Sequence, residues 1–158
     1  MKVTKKALIK ISDAINSIKS ENKVLTYSLV KNRKLIEAEI TALEEARNFD
    51  TPAYNEYLTK IRGVAFTYGK KDEKGNVIQT PTGFITDDQH ESSVVQEAIN
   101  GINEEYKTAI EDRSAQIVKY NQILDETVEY DFCPINLSDL PDTVSKQLMD
   151  DLFDLIVE

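Results

Sequence analysis

Between residues 4 and 19 apolar side chains recur every three or four positions, at Leu8, Ile11, Ile15 and Ile18, and predict an amphipathic helix. The polar run Ser20-Glu21-Asn22 reads as a break or kink, so residues 4–48 form either two helices or one bent rod. A longer helix is expected over 23–48, with Leu25, Leu29, Ile36, Ile40 and Leu43 on one face. Leu29, Ile36 and Leu43 fall seven residues apart, the spacing of a coiled-coil-like seam. Thr51-Pro52 offers an N-cap followed by proline at the first helical position, opening a short helix over 53–62 with Tyr54, Tyr57, Leu58 and Ile61.

The period changes at Gly63. Val64-Ala65-Phe66-Thr67-Tyr68 alternates like a strand, Gly69 to Asn76 is a polar turn, and Val77–Gln79 with Gly83–Thr86 returns. Residues 63–86 are therefore expected to project as a β-hairpin. Asp87 or Asp88 then caps a helix over 89–125, with a stripe from Val95 through Ile102, Tyr106, Ile110, Ile117 and Tyr120 to Leu124, interrupted by Arg113 and bent at Gly101. Residues 127–158 complete the chain with a half-buried strand at Val128, Tyr130 and Phe132. A final acidic helix follows over 141–156, facing inward through Val144, Leu148, Leu152 and Leu155. The fold class is mainly α: long antiparallel helices in a hairpin or bundle, a small β-hairpin insertion, and a short C-terminal strand plus helix, in one domain over 1–158. A helix of 37 residues spans roughly 55 Å at 1.5 Å per residue, and its stripe needs cover along its whole length. A homo-oligomer is expected, with Leu29, Ile36, Leu43 and the polar Asn32 at the subunit interface.

Composition narrows the chemistry. Of 158 residues 41% are hydrophobic and 30% charged, and the net charge of −9 argues against bulk nucleic-acid binding. One Cys and one His leave no disulfide framework, no Cys-based zinc site and no multi-His metal site, so neither metal nor cofactor is expected. No stretch is apolar enough for a membrane span, and no secretory leader is expected. The charge is uneven. Residues 1–34 hold nine Lys and Arg against Asp13 and Glu21, a net +7, whereas the last 38 residues hold only Lys146 against ten acids, a net −9. Such asymmetry brings the two ends together, within one molecule or between copies.

A nucleophilic triad would have to use His90, which lies in Asp87-Asp88-Gln89-His90-Glu91 and reads as the first turn of a helix. The glycines match neither a P-loop nor a dinucleotide fingerprint. Arg113, on an apolar stripe and flanked by Tyr106 and Tyr120, needs a partner: an acid from another helix, or an anionic ligand such as phosphate held by guanidinium and hydroxyls. Arg62, Tyr68, Lys70 and Lys71 interleave basic and aromatic groups at the base of the hairpin, as anion sites do. Asn32 reads as a residue that sets register or contacts a ligand.

Met1-Lys2-Val3-Thr4 leading into helices, the turn Lys71-Asp72-Glu73-Lys74-Gly75-Asn76, and Glu129-Tyr130-Asp131-Phe132 with Pro134-Ile135 before an acidic helix resemble the small uncharacterised acidic helical proteins of tailed bacteriophages. The resemblance implies no catalytic residues. It implies a non-enzymatic binder of a host factor, either a sponge for a defence signalling nucleotide or an inhibitor of a defence protein, at work in the cytoplasm of an infected bacterium. The alternative it implies is an assembly or virion accessory protein.

Overall fold

The computed structural model describes all residues from Met1 to Glu158, and helices hold 63% of them. The chain is mainly α. Its elements run β1 (Lys2–Thr4), α1 (Lys5–Ser17), α2 (Lys23–Ala46), α3 (Pro52–Tyr68), β2 (Gln79–Thr80), β3 (Gly83–Phe84), α4 (Ser92–Glu105), α5 (Lys107–Asp125), β4 (Thr127–Glu129), β5 (Ile135–Asn136), α6 (Lys146–Asp151) and β6 (Ile156–Val157). Short 3-10 turns cover Leu137–Asp139 and Phe153–Leu155. Contacts group the chain into a terminal unit, Met1–Asn48 with Val118–Glu158, and a middle unit, Phe49–Ile117.

In the terminal unit, Thr4 caps α1 by accepting from the Ala7 N–H, and Asn22 caps α2 by accepting from those of Val24 and Leu25. The Ser20–Asn22 break therefore separates two helices. Their stripes meet: Leu8, Ile11 and Ile15 of α1 share a core with Leu25, Leu29 and Ile36 of α2, closed by Ile135, Leu152 and Leu155 from the C-terminal segment. Burying such aliphatic side chains contributes about 2 kcal/mol each. The seam assigned to a subunit interface is thus interior. Leu29, Asn32, Ile36 and Leu43 are all buried by the chain itself, and around Leu29 and Ile36 it is α1 and the C-terminal segment that cover the face the heptad spacing marks.

Asn32 is fully buried and pairs twice with the Cys133 backbone. Its Nδ2 donates to the Cys133 carbonyl at 2.8 Å and its Oδ1 accepts from the Cys133 N–H at 2.7 Å. The side-chain amide stands in for a neighbouring strand where no strand reaches. One turn earlier on α2, Ser28 Oγ meets Cys133 Sγ at 3.5 Å.

The two ends of the chain meet within this unit, and one ion pair joins their charges. β1 pairs antiparallel with β4, Lys2 opposite Glu129 and Thr4 opposite Thr127, and the N-terminal ammonium donates to the Tyr130 carbonyl at 2.7 Å. Lys5 Nζ lies 2.9 Å from both Glu39 and Glu126, first the one and then the other raising its pKa above the ordinary lysine value. The expected helix over 141–156 shrinks to α6. Ser145 caps it, and the chain must leave helical geometry afterwards because Ile156–Val157 pairs in parallel with Ile135–Asn136.

In the middle unit, Thr51 caps α3 with Pro52 in the first turn, as the sequence signals. The helix then runs through Gly63 to Tyr68, so 63–68 is helix and not the start of a hairpin. The reason lies in the spacing, since Tyr54, Tyr57, Ile61, Val64 and Tyr68 continue one stripe at three- and four-residue steps. Gly69 ends it, buried where a Cβ would collide with the Ala65 carbonyl. β structure begins only there, as the bridges Gly69 with Thr86 and Lys71 with Val77 and the pair β2–β3. Asp72 builds the tip: Oδ1 accepts from the Lys74 and Asn76 N–H groups at 2.8 and 2.9 Å, and Gly75 supplies φ +83°. These bonds, led by the Asn76 N–H, hold the Asp72 carboxyl below its ordinary pKa.

The helix expected over 89–125 starts later and divides. Asp87 and Asp88 form a turn ahead of α4, with Asp87 Oδ1 accepting from the Gln89 N–H at 3.0 Å. The break falls at Tyr106, which leaves helical geometry at φ −105°, ψ 17°, and not at Gly101. α3 packs on α4, but Val64, Gly69 and Val95 are the only buried residues of this unit.

Candidate functional site

The basic and aromatic side chains singled out by sequence are mostly used inside the fold. Arg113 Nη1 donates to the Phe49 carbonyl at 3.1 Å and approaches Asp50 Oδ1 at 3.4 Å, while its guanidinium lies 4.2 Å over the Tyr54 ring. Its partners are therefore an acid, a carbonyl and an aromatic face, all from the segment that opens α3. Tyr106 does not join it. It sits 6.1 Å from the Tyr57 ring, beneath the Lys60 ammonium at 5.1 Å, and Lys60 pairs with Glu105 at 2.6 Å. Tyr54 and Tyr57, 5.4 Å apart, complete a row of rings running from Arg113 to Lys60. Tyr57 donates to Asn103 Oδ1 at 3.2 Å, and burial raises the pKa values of the Tyr57 and Tyr106 hydroxyls. Glu105, then Tyr106, raises that of Lys60. Tyr120 is half-buried on the later part of α5, in the terminal unit, and has contacts of its own.

At the base of the β turn Lys70 pairs with Asp88 at 2.8 Å, which raises its pKa, and Lys71 lies 4.2 Å over the Phe66 ring. Tyr68 meets His90 edge-on at 5.1 Å, and Arg62 is exposed on α3. The group expected to interleave for an anion thus splits into an ion pair, a cation over a ring and a ring pair. No three His, Cys, Asp or Glu side chains converge as metal ligands, and no helix is long and apolar enough to cross a membrane.

A concave site lies elsewhere, in the terminal unit. Between the end of α1 and the first turns of α2 opens a cleft of about 360 Å³. Ile15, Ile18, Leu29 and Val30 form its apolar lining, and Asn16, Ser20 and Thr26 its neutral polar one. Lys19 and Arg33 supply the charge, and neither makes an ion pair. The cleft exists because α1 stops at Ser17 and the chain runs extended before Asn22 starts the next helix.

That connection is tied to itself. Ser20 Oγ accepts from the Asn22 N–H at 3.0 Å, Thr26 Oγ1 donates to the Ser20 and Asn22 carbonyls, and Asn22 Nδ2 donates to Asp139 Oδ1 at 2.9 Å. A preorganised cleft wall loses little entropy on binding. Lys19 and Arg33 stood in the sequence among nine basic residues with nothing to distinguish them, and only the polar break beside Lys19 marked where the mouth would be.

Comparison with known proteins adds no kinship: no protein-family model, no curated sequence and no solved structure matches the chain.

Proposed function

We propose that this chain is a non-enzymatic binding protein that takes a small anionic ligand in the α1–α2 cleft. The reading rests on one observation, a cleft of mixed apolar and polar lining that includes two basic side chains without ion-pair partners. Arginine offers forked donors that match phosphate, lysine a point charge, and the aliphatic walls a surface for a flat ring. A nucleotide has that combination of parts. The resemblance to small acidic helical proteins of tailed phages supplies the setting: sequestration of a signalling nucleotide in an infected bacterial cell. Arg113, Tyr106 and Tyr120 are not part of this site, since Arg113 and Tyr106 are engaged elsewhere and Tyr120 lies outside the cleft lining.

A ligand that binds only the folded state at a hundred times its dissociation constant stabilises it by about 2.7 kcal/mol. A panel of cyclic and ADP-ribose-type nucleotides, with inorganic phosphate alongside, is therefore expected to contain a member that raises the melting temperature. Lys19→Ala with Arg33→Ala abolishes the rise and leaves the unliganded protein folded, because both residues are exposed. Arg113→Ala lowers the unliganded melting temperature and keeps the rise. A panel without any shift sinks the reading.

A second reading, an assembly or virion accessory protein, is favoured by large apolar side chains left outside, with Phe153 74% and Tyr27 66% exposed. Co-purification with capsid or tail proteins would support it.

A further inference from the structure

α2 has two faces, and the core uses one. On the opposite side Val24, Tyr27, Lys31 and Leu35 follow one another at helical steps of three and four residues, all exposed, with Lys34 beside them. The stripe is apolar and basic. At the other end of the chain, also within the terminal unit, Phe153 and Val157 are exposed, and Asp150 and Asp154 are exposed on either side of Phe153 in sequence. That segment is apolar and acidic. Neither set of basic and acidic groups is neutralised by the other within the chain, since no ion pair joins them.

We infer that a second copy of this chain covers the outer face of α2 with its C-terminal segment. Phe153 lies on Tyr27 and Leu35 of the neighbour, and Asp150 and Asp154 face Lys31 and Lys34. Charge complementarity selects this pairing over α2 against α2 or tail against tail, both of which set like charges opposite each other. An aromatic anchor ringed by charge is the composition of an interface centre. The contact joins two different surfaces and each copy carries one of each, so it closes reciprocally in a two-fold dimer or runs head-to-tail into rings or open chains. It is separate from the α1–α2 cleft, whose Thr26, Leu29, Val30 and Arg33 lie on other sides of α2.

Sedimentation equilibrium on the full chain tests it. The average mass of the unaltered protein is expected to rise with concentration above that of the monomer, and to fall when salt is added. Lys31→Glu with Lys34→Glu abolishes the growth, as does Asp150→Lys with Asp154→Lys, both variants keeping their circular dichroism because all four residues are exposed. Mixed together, the two variants grow again, because the acidic α2 face of the first meets the basic tail of the second and the acidic tail of the first meets the basic α2 face of the second. A chain carrying all four substitutions restores the complementarity and grows again. Lys74→Glu with Lys107→Glu, a change of the same net charge elsewhere, leaves growth unaltered. A constant monomer mass for the unaltered protein, growth that survives either reversal, or a four-fold variant that stays monomeric overturns the inference.

Discussion

Asn32 is the residue whose meaning changed most between sequence and fold. An amide inside an apolar stripe signals specificity in a helical protein, and the spacing of Leu29, Ile36 and Leu43 suggested that the specificity was between helices of different copies. In the fold the same amide clamps the Cys133 backbone, a donor and an acceptor that no strand satisfies. Asn32→Ala takes the partner from both half-buried groups and is expected to cost about 1–3 kcal/mol, read as a lower urea midpoint at unchanged slope. Asn32→Asp retains the acceptor for the Cys133 N–H but sets a carboxylate against its carbonyl, and is expected to be no better tolerated. Arg113 underwent a similar change. Its need for a partner was legible from its place on an apolar stripe, whereas its actual partners, a carbonyl, an acid and a ring near the start of α3, lie more than fifty residues away in sequence.

Among the elements, α3 shows how two periodicities compete in one segment. Val64, Phe66 and Tyr68 alternate, and Gly63 precedes them, which is the outline of a strand after a breaker. The same segment also carries Val64 and Tyr68 in step with Tyr54, Tyr57 and Ile61, and this second pattern is the one the packing against α4 selects. Val64 is buried while Phe66 stays outside, as a helix requires. Gly63 is therefore a weak point of a helix. A Cβ there meets nothing within 4 Å. Gly63→Ala is expected to stabilise the protein by about 0.5–1 kcal/mol, measured by thermal or urea unfolding; a strand-breaking glycine would give loss instead. Gly69→Ala, where the Cβ has no room, marks the contrasting case at the end of the same helix.

At the scale of the whole chain, burial is distributed unequally. The terminal unit has a contiguous core built from α1, α2 and the C-terminal segment, while the middle unit buries only Val64, Gly69 and Val95. Local stability follows buried contacts, so native-state hydrogen exchange is expected to be slowest in α1 and the inward face of α2, and faster by orders of magnitude in α3 and α4. Equal protection in α3 and α1 would contradict it. By itself the sequence determined the helical class, the starts of α1, α2 and α3, and the inward residues of the first two, because caps and apolar periodicity are local properties of a few turns. It also showed that the basic and acidic ends belong together. Only the tertiary structure decided that β1 pairs with β4, that the last helix stops short so β6 can reach β5, and that Lys19 and Arg33 share a cleft. Each of these depends on residues far apart in sequence meeting at one place, and side-chain type and spacing carry no record of which distant partner will arrive.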